Sequence, residues 1–326
     1  MHYAGVDLGA TNVRGAVSDE SGRIVGVDRR KTPSGPTGIA VTETVLAVMR
    51  AAAADAGVAP TAIEAASIGS IGPLDLANGA IDSPANMPAS VETIPLVGPL
   101  ANLLGVDTER VFLHNDTVAG VIGERFYADR TPDDMAYLTI SSGIGAGIAV
   151  DGTVIGGWDG NAGELGHMVV DPRGRRTCGC GRDGHWEAYC SGNNIPEYAR
   201  LLADDADGVE TALPLDSGGL TAKDVFECAA DGDTFAAHVV EQLGVWNGIG
   251  VTNLVQAYAP LVVYVGGAVA LHNPEQVLGP IRDYIQERVF SNVPEIRLTT
   301  LGDDVVLKGA IASALTGGTG DSTHAP

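Results

Sequence analysis

Cys178 and Cys180 stand one residue apart, with His185 five positions on and His167 eleven positions before them. All four lie in the run Gly-Glu-Leu-Gly-His-Met-Val-Val-Asp-Pro-Arg-Gly-Arg-Arg-Thr-Cys-Gly-Cys-Gly-Arg-Asp-Gly-His-Trp-Glu at 163–187. Thiolate and imidazole match the ligand preferences of zinc, and four such ligands close a tetrahedral structural site. Cys190, one helical turn beyond Trp186, is the alternative fourth ligand. Glu164 and Glu187 bracket the same knot. A metal holding two acids at a fixed separation would build a polar pocket from loop residues.

Two further stretches could bind an anion. Asp7-Leu-Gly-Ala-Thr-Asn contains Asp7, Gly9, Thr11 and Asn12, and Ser141-Ser-Gly-Ile-Gly-Ala-Gly contains Ser142, Gly143 and Gly145. Glycine lets backbone N–H groups approach phosphate without side-chain interference. Neither stretch continues into Gly-Lys-Ser/Thr, and the second opens no helix as a dinucleotide fingerprint would. Either one alone reads as an ordinary hairpin. The pair, with an acid in the first, favours a phosphate clamp with Asp7 placed for hydrated Mg²⁺. Asn115-Asp116 stands at the start of a helix expected over 117–128. Asp116 suits both an N-cap and a carboxylate kept ionised by the helix dipole, ready to accept a proton.

The elements that must carry these residues follow from pattern. Residues 3–31 read as a β-meander, 37–57 as an Ala-rich helix ending at Gly57, and 65–75 as a buried strand running into a loop. Residues 78–99, rich in proline, read as an irregular connection. A strand at 111–114, the helix at 117–128, and a strand from 136 entering a hairpin at Asp151-Gly152 come next. Helices are expected over 194–233 around an acidic loop at 204–219, then over 235–258, 275–289 and about 306–315, with a buried strand from 261. The tail after 316 shows no apolar pattern and is expected to be disordered. Meander strands with a glycine corner, then alternating helices and strands, occur twice. That echo predicts two similar α/β domains around a ligand cleft.

The chain has 326 residues, 45% of them hydrophobic and 44 of them glycine, enough for two domains with real cores. No apolar run reaches the ~18 residues of a membrane span. The N-terminal residues lack a signal-peptide pattern, which points to the cytoplasm. Four cysteines, two of them in C-x-C, suit a reduced compartment and a metal. Asp and Glu number 41 against 19 Lys and Arg, a net charge of −22, and only Lys31, Lys223 and Lys308 are lysine. Such a surface repels nucleic acid and anionic membranes, so neither is an expected partner. The balance resembles that of proteins from salt-accumulating archaea and predicts a chain that folds best in concentrated salt.

The motifs together resemble the ROK family of sugar kinases, within the actin-like ATPase superfamily, and its glucokinases most. The resemblance covers residues 4 to about 315. It rests on the 163–187 signature and on Asp7-x-Gly-x-Thr-Asn, Gly72-Pro73-x-Asp75, Asn115-Asp116, Gly143-x-Gly145-x-Gly147 and Val265-Gly266-Gly267-Ala268. It implies a two-domain actin-like (ribonuclease H-like) α/β fold with a central cleft. Its small domain would be 1–114 completed by about 302–316, its large domain 115–301, and 317–326 a tail. It implies transfer of the ATP γ-phosphoryl to a hexose such as glucose, with Asp116 as general base. Sugar contacts carry over onto Asn86, Asn115, Glu164, His167 and Glu187. Nucleotide and Mg²⁺ contacts carry over onto Asp7, Gly9, Thr11, Asn12, Ser142, Gly143, Gly145, Gly266 and Gly267. Structural Zn²⁺ falls to His167, Cys178, Cys180 and His185. This chain departs from the family in having His185 where a third cysteine is usual. It also has Ser141-Ser142 where Gly-Thr is common. N-acetylhexosamine, fructose and mannose compete with glucose as acceptor, and ADP or polyphosphate with ATP as donor. The family also includes sugar-sensing regulators that do not catalyse. A homodimer or homotetramer is expected on resemblance alone.

Overall fold

The computed structural model describes residues 1–84, 88, 91–206, 208–216 and 218–324, so Asn86 lies outside the described residues. The chain opens with an antiparallel meander of β1 (His2–Leu8), β2 (Asn12–Asp19) and β3 (Ile24–Lys31). There follow α1 (Gly38–Asp55), β4 (Ile63–Ser70), β5 (Leu74–Asp75), β6 (Ala80–Asp82), β7 (Thr93–Pro95), α2 (Val97–Leu104), β8 (Val111–Asn115) and α3 (Asp116–Tyr127). The second half holds β9 (Met135–Ile140), β10 (Ile144–Val150), β11 (Thr153–Val154), α4 (Glu187–Cys190), α5 (Ile195–Asp204), α6 (Ala222–Ala230) and α7 (Thr234–Tyr258). It ends with β12 (Val262–Gly266), α8 (Ala268–His272), α9 (Pro274–Arg288), β13 (Glu295–Leu298) and α10 (Val305–Thr316).

The two large sheets have the same strand plan. One runs β3-β2-β1-β4-β8 and the other β11-β10-β9-β12-β13. In each, the first strand of the meander pairs in parallel with a later strand, which pairs in parallel with another. Parallel strands need covered faces, which is why β4 and β12 are buried almost throughout. The expected irregular segment at 78–99 contains β6, β7 and the start of α2, and β5-β6-β7 form a small antiparallel sheet. Strands of two or three residues leave too short a pattern to register as period-two alternation.

One compact unit comprises Met1–Asp133, Gly147–Gly163 and Asp304–Pro326; the other comprises Asp134–Ala146 and Glu164–Asp303. The first includes α3. Its sheet has two cores, because β1 alternates its side chains. Ala4, Val6 and Leu8 meet Val41, Val45, Val48 and Met49 of α1, whereas Tyr3 clusters with Leu307, Ile311 and Leu315 of α10. Backbone contact explains why α3 goes with α10. A Cβ on Gly309 would overlap the carbonyl of Ala119, and one on Gly123 would come within 3.1 Å of Gly309 itself. The tail expected to be disordered is tied down at its start: Arg125 Nη1 donates to Thr319 O at 2.7 Å and Gly320 N to Thr316 Oγ1 at 2.8 Å. Among the described residues no helix is long and apolar enough to cross a membrane.

Candidate active site

In the first unit, β8 ends at Asn115 and α3 begins at Asp116. The cap is Asn115 rather than Asp116. Its Oδ1 accepts from Thr117 N at 3.0 Å and from Thr117 Oγ1 at 2.8 Å. Those bonds fix the amide's orientation and turn its NH₂ toward Gly72, where a Cβ would sit 3.4 Å from Nδ2. Asn115 is thus a buried residue whose acceptor is occupied and whose donor end faces a glycine corner. Asp116 is half-buried in the first turn, where the N-terminal end of the dipole favours its charged form. Asn161 escaped the sequence reading. Its Oδ1 accepts from Leu74 N at 3.2 Å and so fastens the loop before Glu164 to the Gly72–Leu74 segment.

The first glycine loop is the β1–β2 turn. Gly9 N donates to Asn12 O at 3.0 Å, while Thr32 holds the loop from outside through Thr32 N to Thr11 O at 2.9 Å and Thr32 Oγ1 to Gly9 O at 2.7 Å. Asp7, just before the turn, receives Arg14 Nε at 2.8 Å and Nη2 at 2.7 Å, both on Oδ2. Burial raises its carboxyl above the usual range, and Arg14 opposes that rise.

In the second unit, the second glycine loop is shorter than expected. Only Ser141–Gly143 form the turn, whereas Gly145 and Gly147 lie within β10. Ser141 N donates to Gly143 O at 2.9 Å and Gly192 N to Ser141 O at 2.7 Å. Gly266 and Gly267 end β12 against β9. A Cβ on Gly266 would lie 2.6 Å from the Tyr137 hydroxyl, and one on Gly267, at φ +87°, 2.5 Å from Ile140 O. Their smallness is required by the protein's own packing.

The His/Cys knot also lies in the second unit. Cys178 N donates to Arg182 O and Gly181 N to Cys178 O, each at 2.8 Å, closing a tight turn around Cys180. Gly184 is at φ +75°, and a Cβ there would overlap Asp171 O, so His185 re-enters the knot through a position only glycine can take. Trp186 is fully buried and donates Nε1 to Asn247 Oδ1 at 2.9 Å, anchoring the knot to α7. One ligand atom from each of His167, Cys178, Cys180 and His185 lies within 4.8 Å of all the others. Cys178 Sγ is 3.6 Å from His167 Nδ1, and Cys180 Sγ is 3.3 Å from His185 Nδ1. A tetrahedral zinc site with Zn–S and Zn–N bonds of usual length has S···N edges of about 3.6 Å, so these donors fit one. Burial pushes the Cys178 thiol up to about 11, while burial and the neighbouring His167 and Arg182 push His185 down. A thiolate that is costly alone and an imidazole kept neutral are the states a divalent cation would bind. Cys190 is outside the cluster, with Sγ 3.6 Å from Leu243 O.

The two acids occupy the rim of this knot. Glu187 Oε2 accepts from Ile144 N at 2.9 Å, joining the knot to the Ser141–Gly143 turn, and its Oε1 lies 3.7 Å from Cys178 Sγ. His167 has Nδ1 on the sulfur side and Nε2 3.9 Å from Glu164 Oε2. The Glu164 carboxyl is raised by desolvation and further by Glu187, with His167 opposing. Glu164, His167 and Glu187 thus form one polar patch in the second unit, and the arrangement can direct several hydrogen bonds at a polyol. Asn115 and Asp116 share the corner that joins β8 to α3 in the first unit.

The ROK family profile matches residues 3–316. A glucokinase of Pyrobaculum calidifontis is 35% identical over 315 residues, covering 96% of this chain and 94% of the relative. The ROK hexokinase of Thermus thermophilus superposes with a TM-score of 0.78 at 32% identity, over 95% of this chain and 97% of that one. A ROK glucokinase of Streptomyces griseus, in complex with glucose and AMPPNP, gives 0.74 at 29% identity, over 95% and 98%. With a match running from the first strand to the last helix, this chain belongs to the ROK family.

Proposed function

We propose that this protein is an ATP-dependent hexose kinase that converts glucose to glucose 6-phosphate. The observation that carries the reading is the full-length likeness to a glucokinase at 35% identity. Within the second unit, Glu164, His167 and Glu187 are grouped as hydrogen-bonding partners for sugar hydroxyls. A sugar contact of Asn115 is assigned on resemblance alone. Asn86 is assigned a sugar contact on resemblance alone. Asp116 accepts the proton of the attacking hydroxyl as its oxygen bonds to the γ-phosphorus and the bond to ADP breaks. Asp7, Gly9, Thr11, Asn12, Ser142, Gly143, Gly145, Gly266 and Gly267 serve the nucleotide. Bound Mg²⁺ supplies positive charge to the β- and γ-phosphates. Zn²⁺ held by His167, Cys178, Cys180 and His185 supplies rigidity: metal ligation through Nδ1 leaves His167 Nε2 for substrate. The chain works in the cytoplasm, in glycolytic carbohydrate metabolism, as a homodimer or homotetramer.

The test is ADP release over a panel of glucose, mannose, fructose and N-acetylated hexosamines, in molar KCl. Glucose gives the highest kcat/KM. An N-acetylhexosamine that ranks above it overturns the choice of sugar, and release with none of them overturns the kinase reading.

The charge of −22 adds a second expectation. Exposed carboxylates repel one another, and the Debye length shrinks from about 30 Å at 0.01 M to about 3 Å at 1 M salt. Tm measured from dilute buffer to molar KCl rises by roughly 10 °C as that repulsion is screened. A flat curve refutes salt dependence.

A further inference from the structure

We propose that Arg14 is a positioning residue for the Mg²⁺–nucleotide: it aims the carboxylate of Asp7 by bracing it against Asp304 at the start of α10. The proposal rests on the kinase reading and deepens it by adding a residue that none of the motifs contains. Asp7 and Arg14 are directly opposite in the β1–β2 register, and Arg14 and Arg29 directly opposite in β2–β3, so the three side chains share one face of the sheet. Arg14 reaches Asp7 Oδ2 with both Nε, at 2.8 Å, and Nη2, at 2.7 Å. Its remaining arm, Nη1, reaches Asp304 Oδ1 at 2.8 Å. Both of these contacts with Asp7 fall on Oδ2.

Three features make this more than a surface ion pair. The Arg14 and Asp7 side chains are only 21% and 17% exposed, so their attraction is poorly screened by solvent. The second carboxylate belongs to the cap position of α10, the helix that packs on β1 through Ile311 and Leu307 against Gly5. The planar guanidinium also delivers three N–H groups in fixed directions to two acids, which a lysine ammonium cannot reproduce. Without Arg14, Asp7 and Asp304 would be neighbouring acids with Arg29 as the remaining nearby cation. Asp7 would then lose the contact that holds its rotamer.

Titration calorimetry with AMPPNP, with and without Mg²⁺, tests this on the wild type, R14M, R14K, D7N and the R14M/D7N double variant. R14M weakens binding of the Mg²⁺ complex by about tenfold or more, as loss of a supporting partner of a metal site does. It leaves Mg²⁺-free AMPPNP and glucose affinities unchanged, and R14K recovers only part of the loss. Because Arg14 acts through Asp7, the double variant binds no more weakly than D7N alone. Additive losses in the double variant, an equal loss without Mg²⁺, or unchanged binding in R14M each overturn the proposal. If R14M does not fold, D304N replaces it: a few-fold loss confined to the Mg²⁺ complex supports the brace, and no loss refutes it. A wild-type protein that binds Mg²⁺–AMPPNP but phosphorylates no hexose defeats the kinase reading and leaves this comparison decisive for Arg14.

Discussion

Asp116→Asn lowers kcat by roughly three orders of magnitude, within the range that a positioned general base contributes. The glucose dissociation constant stays within about twofold and Tm within about 2 °C, because the substitution is isosteric and the cap is untouched. The cap is Asn115, whose Oδ1 takes both Thr117 donors. Asp116 is the first helical residue, so its carboxylate is not needed to start α3. The neutral amide cannot take the hydroxyl proton. Steady-state kinetics beside calorimetric glucose binding separate the two effects. A variant that keeps a tenth of wild-type kcat contradicts a general-base role, and one that loses both turnover and fold shows that Asp116 is structural.

Removing the metal has the other large effect, and it falls on binding. Metal analysis of the purified protein finds about one zinc per chain, and Cys178→Ser or His185→Ala loses it, whereas Cys190→Ala retains it. Loss of the ion lowers Tm by roughly 5–10 °C, since a metal that binds only the folded chain adds its binding energy to folding. KM for glucose rises about 10–100-fold, the scale seen when metal-site support is lost, and kcat falls less. The cause is positional. Glu187 follows His185 by two residues and is fixed by Ile144 N, and His167 shares its ring between Cys178 and the Glu164 side. A freed knot presents the same acids without their alignment. Stoichiometric zinc in His185→Ala would remove His185 from the ligand set, and unchanged glucose KM in metal-free protein would separate the knot from substrate.

What the sequence disclosed depended on how local each feature is. The cluster of His167, Cys178, Cys180 and His185 lies within nineteen residues, so ligand chemistry and spacing alone could identify it. The meander and the long helix near 235–258 carry enough repeats of their period to be read directly. Two features are hidden from the sequence for physical reasons. Gly147 looked like part of a phosphate loop, yet it is glycine because a Cβ in β10 would overlap the carbonyl of Thr117. The Gly123–Gly309 contact joins residues far apart in the chain and so leaves no local pattern. Pattern alone does not separate Asn115 from Asp116 as the cap, because Asn and Asp cap about equally well and one position's shift lies within the usual uncertainty of a helix end. Arg14 could have been found: counting alternation across the four-residue turn at 9–12 from Asp7 lands on it.

The helix that closes the first unit is made long after the sheet it covers. During synthesis the ribosome releases the whole β1–β2–β3–β4–β8 sheet long before Val305–Thr316 emerges. Until then Tyr3, Ala16 and Ala65 have no partner on the α10 side. A nascent chain in that state exposes apolar strand surface while nearly two hundred further residues are translated, so the early half depends on chaperone shielding to stay in solution.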